Sequence, residues 1–137
     1  MSFTIGIVLA LLTAVITRFA GFDRDRALYP TLLIVIASYY VLFAVMGGSM
    51  HALVIEVVAM SLFSTAAIVG FKLNLWLVAV ALAGHGAFDS VHHRLVSNPG
   101  VPTWWPTFCL AFDLFLAAIF AWLLRSGALK TRAELPG

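Results

Sequence analysis

Five apolar stretches, at about residues 3–19, 29–47, 52–70, 73–93 and 104–124, take up most of this 137-residue chain, and only short connectors separate them. A helix needs about 20 residues to cross the hydrocarbon core of a bilayer. Each stretch approaches or reaches that length. The chain is 63% hydrophobic and 10% charged, against roughly 45–50% and 25% in soluble domains. A soluble fold of this size has no core large enough to hide so much apolar surface. Lipid offers backbone N–H and C=O groups no partner, so spanning segments without a barrel pattern must bond internally as helices. The expectation is an all-α, polytopic integral membrane protein. It forms one compact bundle of five transmembrane helices, a single domain over residues 1–137. The first stretch is the shortest, and a four-span alternative lays it along the interface.

The connectors carry turn chemistry. FDRDRALYP (22–30), GGSMH (47–51), GFKLN (70–74) and RLVSNPGVPT (94–103) join successive helices. Pro99, Gly100 and Pro102 stop any helix in the last of these. Thr103 is placed to cap the fifth helix, and Pro106 falls in its first turn, where proline costs no hydrogen bond.

Five spans put Arg18, Arg24, Arg26, Lys72, Arg125, Lys130 and Arg132 on one side and leave Arg94 alone on the other. Cytoplasmic loops carry the excess of Lys and Arg. The chain therefore reads as a multi-pass protein of a bacterial inner membrane, its N-terminus outside and its C-terminus in the cytoplasm. Asp23, Asp25 and Glu134 join the cytoplasmic loops and tail. Trp104 and Trp105 suit the outer aromatic belt, Trp76 and Trp122 the inner one. No basic stripe interleaved with aromatics occurs, so nucleic acid is excluded as a partner. Cys109 is the only cysteine, which rules out an internal disulfide. Phe3–Thr17 lacks the basic flank of a cleaved signal peptide. Membrane lipids are the expected surroundings.

Against this background the polar residues inside the spans stand out. An ionisable group in the bilayer is costly and turns toward the bundle interior. Glu56, Asp89 and Asp113 all fall within apolar stretches. At about 1.5 Å per residue they lie roughly 10–14 Å below the outer surface, with His85 slightly deeper and His51 at the mouth. GHGAFDSVHHR, residues 84–94, holds three of the four histidines. His85, Asp89, His92 and His93 stand at i, i+4, i+7 and i+8, one stripe of a helix. Gly84 and Gly86 leave room for a neighbouring helix to come close.

Imidazole together with carboxylate suits a divalent transition metal, zinc or iron, with copper also compatible. A dication offsets two carboxylates in lipid, and neutral histidines add ligands without charge. The expected metal ligands are His85, Asp89, His92, His93 and His51, with Glu56 and Asp113 as catalytic acid and base. DSVHH (89–93) resembles the H-x-x-H-H box of membrane di-iron desaturases and hydroxylases, with aspartate in place of its first histidine. Those families draw histidines from several boxes, and four in the whole chain are too few for that full site. The set is also similar in principle to intramembrane zinc hydrolases of the ceramidase and adiponectin-receptor type, whose span pattern is not matched.

Three functions follow. The first is a metalloenzyme acting on a lipid-soluble substrate, by hydrolysis with zinc or oxidation with iron or copper. The second is a proton or ion relay. It would enter from outside along the stripe, but the cytoplasmic half offers only Ser61, Ser64 and Thr65, so a homo-oligomer would have to complete it. The third is a non-catalytic helical subunit of a larger membrane complex.

Overall fold

The computed structural model describes residues 1–24 and 26–129. Asp25, Lys130, Arg132 and Glu134, used above for sidedness, lie outside the described residues. Five helices form the bundle: α1 (Ser2–Ala20), α2 (Leu28–Met46), α3 (Met50–Lys72), α4 (Leu75–Leu95) and α5 (Trp105–Arg125). A single 3₁₀ turn, Phe22–Arg24, links α1 to α2. The helix limits fall within about three residues of the apolar stretches, because the same Gly, Asn and Pro residues that interrupt hydropathy also end helices. All five are long and apolar enough to cross a membrane.

Local chemistry sets the ends. α1 stops at Gly21, whose φ of 77° is the left-handed conformation a glycine C-cap supplies. Ser49 caps α3 by accepting from Ala52 N, and Asn74 caps α4 by accepting from Trp76 N. The expected cap of α5 is displaced. Trp104, not Thr103, holds that position and makes no side-chain capping bond, while Pro106 sits in the first turn as expected. Pro102 O accepts from Trp105 N there, so a backbone turn takes the place of a hydroxyl cap.

The helices pack in the order α2, α3, α4, α5, α1, with α2 also touching α4. α1 docks on α5 through small residues: a Cβ added at Gly6 would stand 2.5 Å from Phe108 O. Aromatic pairs join α2 to α5 at both ends, Phe43 on Trp105 and Tyr29 stacked on Phe120 at 4.0 Å. Between them Leu33, Val78, Leu82 and Leu116 form a buried apolar centre. The outside is apolar too. Ile5, Leu12, Ile16, Val54, Leu62 and Val80 are all exposed, so the helices are hydrophobic on their outer faces as well as on their inner ones.

One loop carboxylate is buried. Asp23 lies in the connector between α1 and α2 as expected, is 1% exposed and takes a 2.8 Å hydrogen bond from Arg18 Nη1. The short 3₁₀ turn after Gly21 folds it back under α1, where only an ion pair makes a buried carboxylate tolerable.

Candidate metal centre

α4 supplies the frame. His85 and Asp89, one helical turn apart, share the face turned toward α5 and are both buried, at 1% and 0% exposure. Gly86 on the same helix lets α5 approach: a Cβ there would meet Asp113 Cβ at 3.1 Å and Leu110 O at 3.3 Å. Gly84, the other flanking glycine, faces open space and has no such part. The approach brings Asp113 Oδ2 to 2.7 Å from His85 Nδ1. Because a carboxylate only accepts, the imidazole is the donor in this pair. Asp89 Oδ2 lies 3.4 Å from the same nitrogen.

One ligand atom from each of His85, Asp89 and Asp113 lies within 4.8 Å of the other two. This buried trio is able to coordinate a metal ion. Its unsatisfied groups are all acceptors: Asp89 Oδ2 and Asp113 Oδ1 are buried without a hydrogen-bond partner. Buried carboxylate oxygens are rarely left so. One imidazole and two carboxylates, two of whose oxygens accept no hydrogen bond, are the donor set a hard-to-borderline dication takes. Asp89 Oδ1 is held from behind by Tyr40, whose hydroxyl donates to it over 2.6 Å. Such an outer partner fixes the orientation of a ligating carboxylate.

A second polar pair lies nearer the N-terminal end of the bundle, the end formed by Met1, the 47–49 turn and the 96–104 loop. His92 Nε2 is 2.7 Å from Glu56 Oε1, joining α4 to α3. Asn98 Nδ2 donates to the same oxygen at 2.9 Å and also to Tyr40 O at 3.1 Å. Glu56 Oε2 has no partner. The Tyr40 ring stacks on the His92 ring at 4.0 Å, 21° from parallel. Tyr40 therefore touches both groups, one through its hydroxyl and the other through its ring face and carbonyl.

The expected site residues thus separate. Asp113 stands among the three that could share an ion, and Glu56 stands with His92 in the second pair. His92 is buried, whereas His51 and His93 are exposed at the same end of the bundle. Arg94 is exposed as well, and Asp89 bonds Tyr40. Tyr40 and Asn98 were not among the expected residues. Two signals pointed to them: YY at 39–40 interrupts the apolar run of α2, and Asn98 heads the NPG turn facing it. Cys109 is buried and free, outside the trio.

Two openings flank the centre on opposite sides of α5. A pocket of about 660 Å³ with mixed polar and apolar walls lies under the 96–103 loop, with Asp89 and His92 in its wall. An apolar groove of about 690 Å³ runs between α1, α2 and α5, past Leu9, Ile36, Phe108 and Cys109. Toward the other end of the bundle, Leu33, Leu82 and Leu116 are fully buried and Phe120 is 1% exposed. No protein-family model matches the chain, and neither does any curated protein or solved structure.

Proposed function

We propose that the chain is a multi-pass membrane protein that holds a divalent transition metal, zinc or iron, at His85, Asp89 and Asp113, and works as a metalloenzyme on a lipid-soluble substrate. The observation that carries the metal reading is the buried trio with its two unpaired carboxylate oxygens. A bound dication would supply Lewis acidity to a water or substrate oxygen. The chain's own residues do the rest. Tyr40 holds Asp89 in register through its 2.6 Å bond. Glu56 and His92, paired at 2.7 Å, form a proton-exchanging couple whose second carboxylate oxygen is free to accept. Phe63 and Phe88 lie against His85 and exclude water on the α3 side.

Membrane placement is supported by five helices of spanning length with apolar outer faces. The arginine and lysine asymmetry supports an outward N-terminus and a cytoplasmic C-terminus. A proton relay is the second reading, favoured by Tyr40 joining the two polar groups. The apolar layer of Leu33, Leu82 and Leu116 supports a dead-end site over a path through the bundle.

The test is metal analysis of purified wild-type protein beside His85→Ala, after exposure to zinc, iron and copper. Stoichiometric metal in the wild type and its loss in the variant is the expected result. A wild-type protein that takes up none of the three at neutral pH refutes the reading.

A further inference from the structure

The stripe that the sequence presents as one ligand shell runs instead from the buried centre to the surface. His85 and Asp89 are buried, and His93, one turn beyond Asp89, is exposed. Over those eight residues the helix climbs about 12 Å. The pocket under the 96–103 loop follows the same climb. Asp89, His92, His93, Asn98 and Thr107 all line it, and no lysine or arginine does among the described residues. Its wall includes Asp89, 0% exposed, whose Oδ2 accepts no hydrogen bond and faces His85 Nδ1 at 3.4 Å.

An anion would find no fixed positive charge in this pocket. A cation finds imidazole nitrogens and hydroxyls, both neutral ligands, and beyond them the carboxylate of Asp89. The other approaches are closed to it. The groove across α5 is almost wholly apolar, and the far end is filled by Leu33, Leu82 and Leu116. A hydrated ion would have to shed all its water at once there. Along the pocket it exchanges water for protein ligands step by step.

We propose that the pocket is a loading path, by which a hydrated divalent cation passes from His93 at the N-terminal end to Asp89 and His92 and comes to rest at His85, Asp89 and Asp113. The inference rests on the metal reading above, and adds where the ion comes from and what the two outer histidines do. His93 is then a transient ligand rather than a resident one. The 96–103 loop, fastened by Asn98 to Glu56 and Tyr40, is the fixed rim of the path.

Blocking the pocket tests this. In lipid nanodiscs, Thr107→Cys is reacted with a bulky disulfide-forming reagent, Cys109 being buried, and Co²⁺ uptake is followed by stopped-flow absorbance. Loading should slow by about tenfold or more, as for any ligand denied its access route, and recover when the adduct is reduced. The same adduct on Ser2→Cys, in the groove across α5, should leave the rate unchanged. His93→Ala, an exposed position, should slow loading severalfold without any label. Wild-type protein that binds Co²⁺ while the Thr107→Cys adduct loads at its unlabelled rate, or while the Ser2→Cys adduct slows equally, overturns the path and leaves the metal site standing. Wild-type protein that binds no Co²⁺ overturns both.

Discussion

Tyr40 makes more kinds of contact at the centre than any other residue there. Its hydroxyl aims Asp89, its ring backs His92 and its carbonyl receives Asn98. Tyr40→Phe removes only the first of these. Metal affinity is expected to fall about 10–100-fold, the usual effect of losing a ligand's outer partner, while the stacking keeps the fold intact. Co²⁺ titration with circular dichroism checks both halves. Carboxylates on the two sides of Tyr40 should part company in the same assay. Asp89→Asn and Asp113→Asn are expected to abolish stoichiometric metal. Glu56→Gln is expected to retain it, because Glu56 lies outside the trio. Loss of metal in Glu56→Gln would mean that the two polar groups act as one shell. Truncation is harsher. Glu56→Ala strands His92 without its acceptor and leaves Asn98 only Tyr40 O, and should lower stability by about 1–3 kcal/mol, read as a lower thermal midpoint.

Helices α4 and α5 build the centre only because they can approach, and the approach depends on one glycine. Gly86 faces Asp113 and Leu110, whereas Gly84, two residues earlier, faces nothing. Gly86→Ala is expected to push α5 outward by a few tenths of an ångström and weaken metal binding severalfold. Gly84→Ala should leave binding as it is and make α4 slightly more stable, alanine being worth about 1 kcal/mol over glycine in a helix. Parallel metal titrations of the two variants decide it, and equal effects would refute this account of the contact. The 96–104 loop has a similar dependence. A Cβ at Gly100 would overlap Phe43 O at 1.8 Å, so Gly100→Ala must displace the loop from the end of α2. Strain of this kind typically costs about 1–3 kcal/mol, and a lower thermal midpoint together with weakened Asn98 contacts is expected.

On the scale of the whole molecule, the buried His85, Asp89, Asp113, His92 and Glu56 lie near one end of the bundle, and the outer helix faces are largely apolar. If Arg and Lys asymmetry sets its direction, Ser97→Cys should react with a membrane-impermeant thiol reagent from outside intact cells. Leu73→Cys, exposed at the opposite end, should react only after the cells are opened. The reverse pattern would invert the topology. The layer of Leu33, Leu82 and Leu116 predicts that proteoliposomes carrying the protein show no metal or proton flux above that of empty vesicles. Measurable flux would favour the relay.

Much of this was legible without coordinates, for a physical reason. Hydropathy and helix-stopping residues are local, so the five helices and their limits could be read from the chain, and so could the stripe from His85 to His93. The cap of α5 was missed because a backbone turn from Pro102 competes with the hydroxyl of Thr103, and only geometry chooses between them. The burial of Asp23 within its loop was not legible, because burial of a loop residue depends on how the turn folds back. The grouping of the polar residues was beyond the sequence for a deeper reason. Depth in a helix fixes a residue's height but not its azimuth, so Glu56 and Asp113 could be placed at similar levels without revealing that they face different partners. Which carboxylate meets which histidine, and that Tyr40 stands between them, follow from the order in which α2, α3, α4 and α5 pack and from the space left at Gly86. The sequence alone determined that polar groups would meet inside one end of a helical bundle; only the tertiary structure decided that His85, Asp89 and Asp113 meet each other and that Glu56 meets His92.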